Sequence, residues 1–288
     1  MICPRRVISP ADVGGHYDEL DPFYQAVWGR GLHHGLWRTG SETTAEAVDS
    51  LVEALGQEAQ LSPGDRVCDV GCGYGEPARI LAERFRVKVL GLTLSERQAT
   101  IARATPVRGG PAPEFRMEDF LHNGIGDGAF QAVIALESTA HMDEKASFFQ
   151  QAERVLAPGG RLVVAAWTAS EHASSREERW LLEPICRFGR LPGLGTAREY
   201  EDWCRRAGLG LVSIRDWTEQ VRRTWRVVLS RIPTRLLPKA NTWRYLFDSR
   251  SRHRDFLLAI PLIGLAQYLG SLRYTALTAR KPSAGGQR

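Results

Sequence analysis

"VCDVGCGYGEPARILAERF", Val67 to Phe85, sets three glycines and an acid between an apolar run and a helical pattern. The apolar run has strand length and the residues after Gly75 have helical periodicity, so the glycines form a turn from a strand into a helix. At such a turn, backbone N–H groups and a helix N-terminus make a site for a polar or charged ligand, and glycine lets that ligand approach the main chain. Gly71, Gly73 and Gly75 therefore mark a binding loop. Its spacing is GxGxG rather than the GxGxxG of dinucleotide sites, and the next strand ends in Gly91-Leu92-Thr93, where a ribose-binding acid would be expected. The chain contains no GxxxxGK run followed by Ser or Thr, so a P-loop is excluded. Asp69, at the strand end, suits a ligand carrying a positive charge or an amino group.

Outward from this loop, apolar runs of strand length alternate with helical patterns, the signature of a parallel α/β sheet. Strands are predicted at Arg66–Val70, Val87–Leu94, Pro113–Met117, Phe130–Leu136 and Gly160–Trp167, and helices at Pro77–Phe85, Glu96–Arg103 and Glu144–Leu156. After Thr168 the alternation stops. A helix-favouring stretch, Glu171 to Phe188, leads to a helix at Ala197–Ala207, and strands return only at Leu209–Trp217 and Leu272–Arg280. These features predict one domain over residues 1–288. It comprises an N-terminal lid (11–60), a binding core (61–168), a helical cap inserted late in the sheet (169–208 and 218–270) and a disordered tail (282–288).

The chain has 288 residues, 43% hydrophobic and 25% charged, within the range of an ordinary globular protein. Its N-terminus lacks an apolar core of signal-peptide length, and the run Leu257–Leu269 is too short to span a bilayer, so a cytoplasmic location is expected. Five scattered cysteines show no paired metal spacing and are expected to be free thiols, with no metal site. The net charge of +5 is unevenly distributed. From Arg215 to Lys281, twelve Arg and two Lys face four acids, a regional excess of +10. These arginines alternate with Trp225, Trp243, Tyr245 and Phe256. The segment reads either as a solvated helical face or as a contact for a diphosphate or an anionic membrane surface.

The same residues resemble the class I S-adenosylmethionine-dependent methyltransferases, in the branch that contains tocopherol and sterol C-methyltransferases. "DVGCGYG" is similar to the family's first motif, "VLGLTLSERQ" (Val89–Gln98) to its second-strand segment, and "MEDF" to the acid beside the adenine. "ALESTAHM" (Ala135–Met142) is similar to the segment facing the reacting centre, and "RVLAPGGRLVV" to the run into the fifth strand. The resemblance extends from Tyr17 to Lys281. It implies a Rossmann-like, seven-stranded, mostly parallel sheet that binds S-adenosyl-L-methionine. The residues it assigns to the cofactor are Tyr17, Asp69, Gly71, Cys72, Gly73, Leu92, Thr93, Gln98, Asp119, Phe120 and Leu136. "YDELDPFYQAVWGRGLHHGLW" (Tyr17–Trp37) is similar to the segment that closes over the cofactor, where aromatic faces exclude water and meet the sulfonium. Ordinary helical core is the competing reading of those aromatics.

The candidate bases are His141 and Glu137, four residues apart beyond the fourth strand, with His141 slightly favoured and His33 and His34 as lid alternatives. The substrate-binding candidates are Tyr24, Trp28, His33, His34, Trp167, Trp217 and Trp225. Ala140 precedes His141 where some sugar- and phenol-methylating relatives carry a second histidine, which argues against simple phenol O-methylation. The expected acceptor is a lipophilic isoprenoid or polycyclic aromatic metabolite, with carbon favoured over nitrogen or oxygen as the methylated atom. The competing class is a catalytically silent cofactor-binding or nucleic-acid-binding module. No helix-turn-helix or single-strand-binding signal supports it, so no nucleic-acid partner is expected.

Overall fold

The computed structural model describes residues 1–5, 7–29 and 31–283, so residues 284–288 of the expected disordered tail lie outside the described residues. Seven strands form one sheet: β1 (Arg66–Val70), β2 (Lys88–Thr93), β3 (Glu114–Met117), β4 (Phe130–Leu136), β5 (Leu156–Ala169), β6 (Gly210–Asp216) and β7 (Leu272–Arg280). Their spatial order is β3-β2-β1-β4-β5-β7-β6. Neighbouring strands among β1 to β5 pair in parallel, and β7 runs antiparallel to both β5 and β6. The sheet is therefore mostly parallel and Rossmann-like. Strand order reverses between β1 and β4, the place where open α/β sheets leave a crevice beyond their C-terminal strand ends.

Helices α1 (Pro10–Val27) and α2 (Thr44–Glu58) precede the sheet, and α3 (Glu76–Phe85), α4 (Glu96–Ala104) and α5 (Lys145–Val155) lie between the parallel strands. Between β5 and β6 come α6 (Ser175–Glu177), a π turn (Glu178–Leu182), α7 (Glu183–Phe188) and α8 (Ala197–Arg206). The stretch read as helix-favouring from Glu171 thus starts only where Ser174 and Glu177 form a capping box. It widens into a π turn just before Pro184, whose ring nitrogen cannot donate to the preceding turn. Between β6 and β7 lie α9 (Thr218–Val221), α10 (Arg223–Arg235), α11 (Ala240–Phe247), a 3-10 turn (Arg254–Leu258) and α12 (Ala259–Leu269).

The strand period of two assigns alternate residues to two cores. Val67, Ile134, Leu136, Val163, Ala165 and Tyr274 pack with Leu51 and Leu55 of α2 and with Leu81 of α3. Val70, Val133, Ala135, Leu162, Val164 and Leu277 pack on the opposite face with Phe148 and Phe149 of α5 and Tyr200 of α8. A third cluster joins Val27 to Leu182, Ile185, Trp225, Val228 and Ile263 of the late helices. Of the two N-terminal helices, α2 is a layer of the first core, whereas α1 crosses the C-terminal strand ends. No helix among the described residues is long and apolar enough to cross a membrane.

Candidate active site

A cavity of about 230 Å³ lies where β1, β2 and β4 end, bordered by Val70, Leu92, Thr93 and Leu136. The glycine loop forms its floor. Gly71 (φ +80°) cannot carry a side chain, because a Cβ there would sit 2.3 Å from the Cβ of Ser138. The Ser138 hydroxyl in turn donates to the carbonyl of Val70, which ties the end of β4 to the loop. Gly73 (φ +54°) faces open space, with nothing within 4 Å of its would-be Cβ. Beneath the loop, Asp69 is 1% exposed, and its Oδ2 has no hydrogen-bond partner among the described residues. Burial raises its carboxyl to about 7.

Helix α1 is fastened over this floor by its acidic and aromatic side chains. Asp18 accepts from the Ser95 hydroxyl, while Asp21 accepts from the Tyr74 hydroxyl and from Arg97 Nε at 2.6 Å. Glu19 accepts from the Tyr245 hydroxyl at 2.7 Å and from the backbone N–H groups of Arg252 and His253, joining α1 to the late helices. Inside, His16 Nε2 and the Tyr24 hydroxyl are 2.8 Å apart.

Besides His16, two histidines line the cavity with different partners. His141 Nδ1 lies 3.2 Å from the carbonyl of Arg190, which can only accept, so Nδ1 carries the proton and Nε2 accepts from the Tyr17 hydroxyl at 2.8 Å. Burial lowers His141 to about 4 and keeps it neutral near pH 7. His34 Nδ1 lies 3.0 Å from both oxygens of Glu137. Glu137 also accepts from the His34 backbone N–H at 2.9 Å and the Tyr274 hydroxyl at 2.7 Å. Burial alone would raise the Glu137 carboxyl, but the His34 contacts outweigh it and hold the group below its usual range. The carboxylate therefore accepts, and the proton sits on His34 Nδ1. His34 Nε2 is then left buried and without a partner among the described residues, beside the rings of Trp28, Trp167 and Trp225 at centroid distances of 5.2, 4.8 and 5.6 Å. Glu137 holds this position at φ +57°, a sparsely populated conformation for a residue with a side chain.

The cavity brings together Tyr17, Gly71, Gly73, Leu92, Thr93, Gln98, Asp119, Phe120 and Leu136 from the cofactor set, and His141 and Glu137 from the base candidates. From the substrate set it takes Tyr24, Trp28, His34, Trp167 and Trp225. Asp69, Cys72, His33 and Trp217 do not line it. Cys72 packs under the loop against Gly91, His33 is buried with Nδ1 against the His34 carbonyl, and Trp217 belongs to the first core. Asp119 borders the cavity with its oxygens engaged by the Leu121 N–H and by His122. Sequence reasoning missed His16, Ser138 and Tyr274. His16 and Ser138 lay inside or beside motif segments, whereas nothing in the local sequence of β7 connects Tyr274 to a residue 137 positions earlier.

The mycolic acid cyclopropane synthetase family matches residues 7–237. The chain belongs to that family. It is a class I S-adenosylmethionine-dependent methyltransferase of the branch that includes tocopherol and sterol methyltransferases, and S-adenosyl-L-methionine is its cofactor. It is 31% identical to the 27-O-demethylrifamycin SV methyltransferase of Amycolatopsis mediterranei, over 95% of this chain and 98% of that one. It is 29% identical to the probable chloroplastic tocopherol O-methyltransferase of Oryza sativa subsp. japonica, over 94% of this chain and 78% of that one. Among solved structures, the [4+2]-cyclase SpnF superposes with a TM-score of 0.79 at 26% identity, covering 98% of this chain and 99% of that one. The cyclopropane synthase MmaA2 of Mycobacterium tuberculosis superposes with a TM-score of 0.81 at 18% identity, covering 97% and 99%. The buried Asp69 carboxyl, whose Oδ2 lacks a partner among the described residues beneath the loop, and the open face of Gly73 fit the family's cofactor, whose sulfonium and amino group are both cationic.

Burial lowers the pKa of His16, His33 and His141. Below about pH 6.5 the unfolded chain binds protons on these rings that the folded chain refuses, so stability falls as pH drops from about 6.5 toward 4. Asp69, raised to about 7, and His122, raised by its hydrogen bond to Asp119, act in the opposite direction over the same window, but with His253 also lowered by burial they are two groups against four. Denaturant titrations at pH 7.5 and 5 are expected to show a lower midpoint at pH 5. An unchanged midpoint would mean that these histidines titrate freely in the folded protein.

Proposed function

We propose that this chain methylates a hydroxyl oxygen of a lipophilic metabolite, with His34 as the base and Glu137 as the group that positions it. The reading is carried by His34 Nε2, buried, unpartnered and backed by a carboxylate on Nδ1. An imidazole oriented this way accepts a proton at Nε2, while the carboxylate stabilises the imidazolium that results. When bound, S-adenosyl-L-methionine supplies a methyl group already activated on a sulfonium. The residues proposed to hold it are Gly71 and Gly73 of the loop, Leu92 and Thr93 at the end of β2, Gln98 of α4, Asp119 and Phe120 beyond β3, Leu136, and Tyr17 from α1, with Asp69 buried beneath the loop. Trp28, Trp167 and Trp225 exclude water and present apolar faces to the acceptor. His141, with both nitrogens engaged, holds Tyr17 against the site.

Relatives named for transfer to oxygen of tocopherol and of 27-O-demethylrifamycin SV support the oxygen reading. Carbon is the second reading, because three indole rings around one imidazole also suit a cationic carbon that must lose a proton, and one relative is named cycloartenol-C-24-methyltransferase 1. Incubation with methyl-labelled cofactor and a panel of terpenoid alcohols, prenylated phenols and macrolide alcohols, followed by NMR of the labelled product, separates the two. A label on oxygen is expected, and a label on carbon overturns the reading. The proposed role of α1 and the following loop is a lid over the bound cofactor. On binding the demethylated cofactor, the segment Tyr17–Trp37 is expected to exchange its amide hydrogens at least about 10-fold more slowly, as local opening is suppressed. Unchanged exchange would make these aromatics ordinary core.

A further inference from the structure

Helix α12, AIPLIGLAQYL, contains no charged residue. One side packs inward through Ala259, Ile263 and Ala266. The other side is equally apolar yet faces solvent. Leu258 is 56% exposed, Leu265 45%, Tyr268 76% and Leu269 51%, and their spacing places them along one helical stripe. Among the described residues, nine of the sixteen exposed large hydrophobic side chains fall between Leu229 and Leu269. Such a concentration marks a surface that another phase or molecule covers.

The flanks of this stripe are basic. Arg250, Arg252 and Arg254 precede it and have no carboxylate partner among the described residues, while Arg273, paired with Asp216 at 3.4 Å, follows it. The interleaved aromatics of the basic segment mostly turn inward. Trp225 and Phe256 line the reaction cavity, and Tyr245 bonds Glu19. Trp243 and Phe247 stay exposed, so what remains outside is leucine, these aromatics, Tyr268 and arginine, an apolar surface with cationic edges. That combination matches an interface in which aliphatic and aromatic groups enter the acyl boundary and guanidinium groups stay at anionic headgroups.

We propose that the α12 face docks on an anionic lipid bilayer. A second cavity, of about 80 Å³, lies behind this face. Its walls include Val228, Ile232, Leu236, Leu246, Leu257 and Ile260, and it shares Tyr24, Trp28, Trp225 and Phe256 with the reaction cavity. A use of this second cavity by the acceptor rests on the lipophilic acceptor proposed above, whereas the docking face stands on exposure and charge alone.

The test uses the full chain with vesicles of phosphatidylcholine alone and of phosphatidylcholine mixed with phosphatidylserine. Cosedimentation is expected only with the mixed vesicles, weakening as salt is raised. Tyr268→Asp with Leu269→Asp, which removes apolar contact, and separately Arg250→Glu with Arg254→Glu, which reverses two basic charges, are each expected to lower partitioning about 10-fold or more. Methyl transfer to a detergent-solubilised acceptor is expected to stay unchanged in both pairs, which separates failure of docking from failure of the proposed reaction. Two results overturn the proposal. One is equal binding to both vesicle types or to neither, and the other is sedimentation showing that a second copy of the chain covers the face in a dimer that the Tyr268 and Leu269 substitutions dissolve.

Discussion

Gly73→Val is expected to give a folded protein that no longer takes up S-adenosyl-L-methionine. At φ +54° a β-branched residue is strained, at a cost of about 1–2 kcal/mol, which an ordinary domain with roughly 5–15 kcal/mol of stability survives. No neighbouring atom opposes the new side chain, because nothing stands within 4 Å of the Cβ position. The valine methyl groups therefore project into the cavity, over the backbone against which the cofactor is proposed to lie. Affinity for the demethylated cofactor, read by calorimetry, is expected to fall by about 100-fold or more, roughly 2.7 kcal/mol. Circular dichroism and the thermal transition check that the fold persists. Gly71 is a poorer probe, since a side chain there would displace Ser138 and release the Val70 carbonyl it holds. Unchanged affinity in a folded Gly73→Val protein would remove the loop from the cofactor site.

The fold was legible because strand burial and helix capping are local. A run such as Phe130–Leu136, apolar on both faces, can satisfy its surroundings only in the middle of a layered sheet, and its predicted ends coincide with those of β4. Gly75 in the left-handed region with proline following marked the start of α3 for the same reason. The site was only partly legible. Motif spacing pointed to the strand ends that border the cavity, but hydrogen-bond partnership is settled by tertiary structure. His34 stood in the sequence as one of two adjacent lid histidines with nothing to separate them. Folding sends His33 into the lid, away from the cavity, and sets His34 against a carboxylate 103 residues later. Trp217 illustrates the opposite case. An aromatic near a substrate region looks like a pocket wall, yet its place at the end of β6 packs it into the sheet core.

His34→Gln is expected to lower turnover by about 10²- to 10⁴-fold, the range for loss of a general base, while affinity for the demethylated cofactor changes little. Glutamine can keep a hydrogen bond to Glu137 but offers no basic nitrogen where Nε2 stood, so the loss falls on turnover rather than on folding or cofactor affinity. Glu137→Gln is expected to lose less, because the imidazole remains and only its orientation and the stabilisation of its charged form are removed. His141→Ala is expected to cost less than either, because both of its nitrogens already have partners and its neutral ring serves Tyr17. A purely structural role for His34 would leave its small-side-chain variant unresponsive to added base. Partial recovery of turnover when free imidazole is supplied to His34→Ala would instead place a proton acceptor at that point in the cavity. The assignment fails if His141→Ala shows the largest loss while His34→Gln turns over near the wild-type rate, for then the proton leaves through the Tyr17 and His141 pair on the opposite wall.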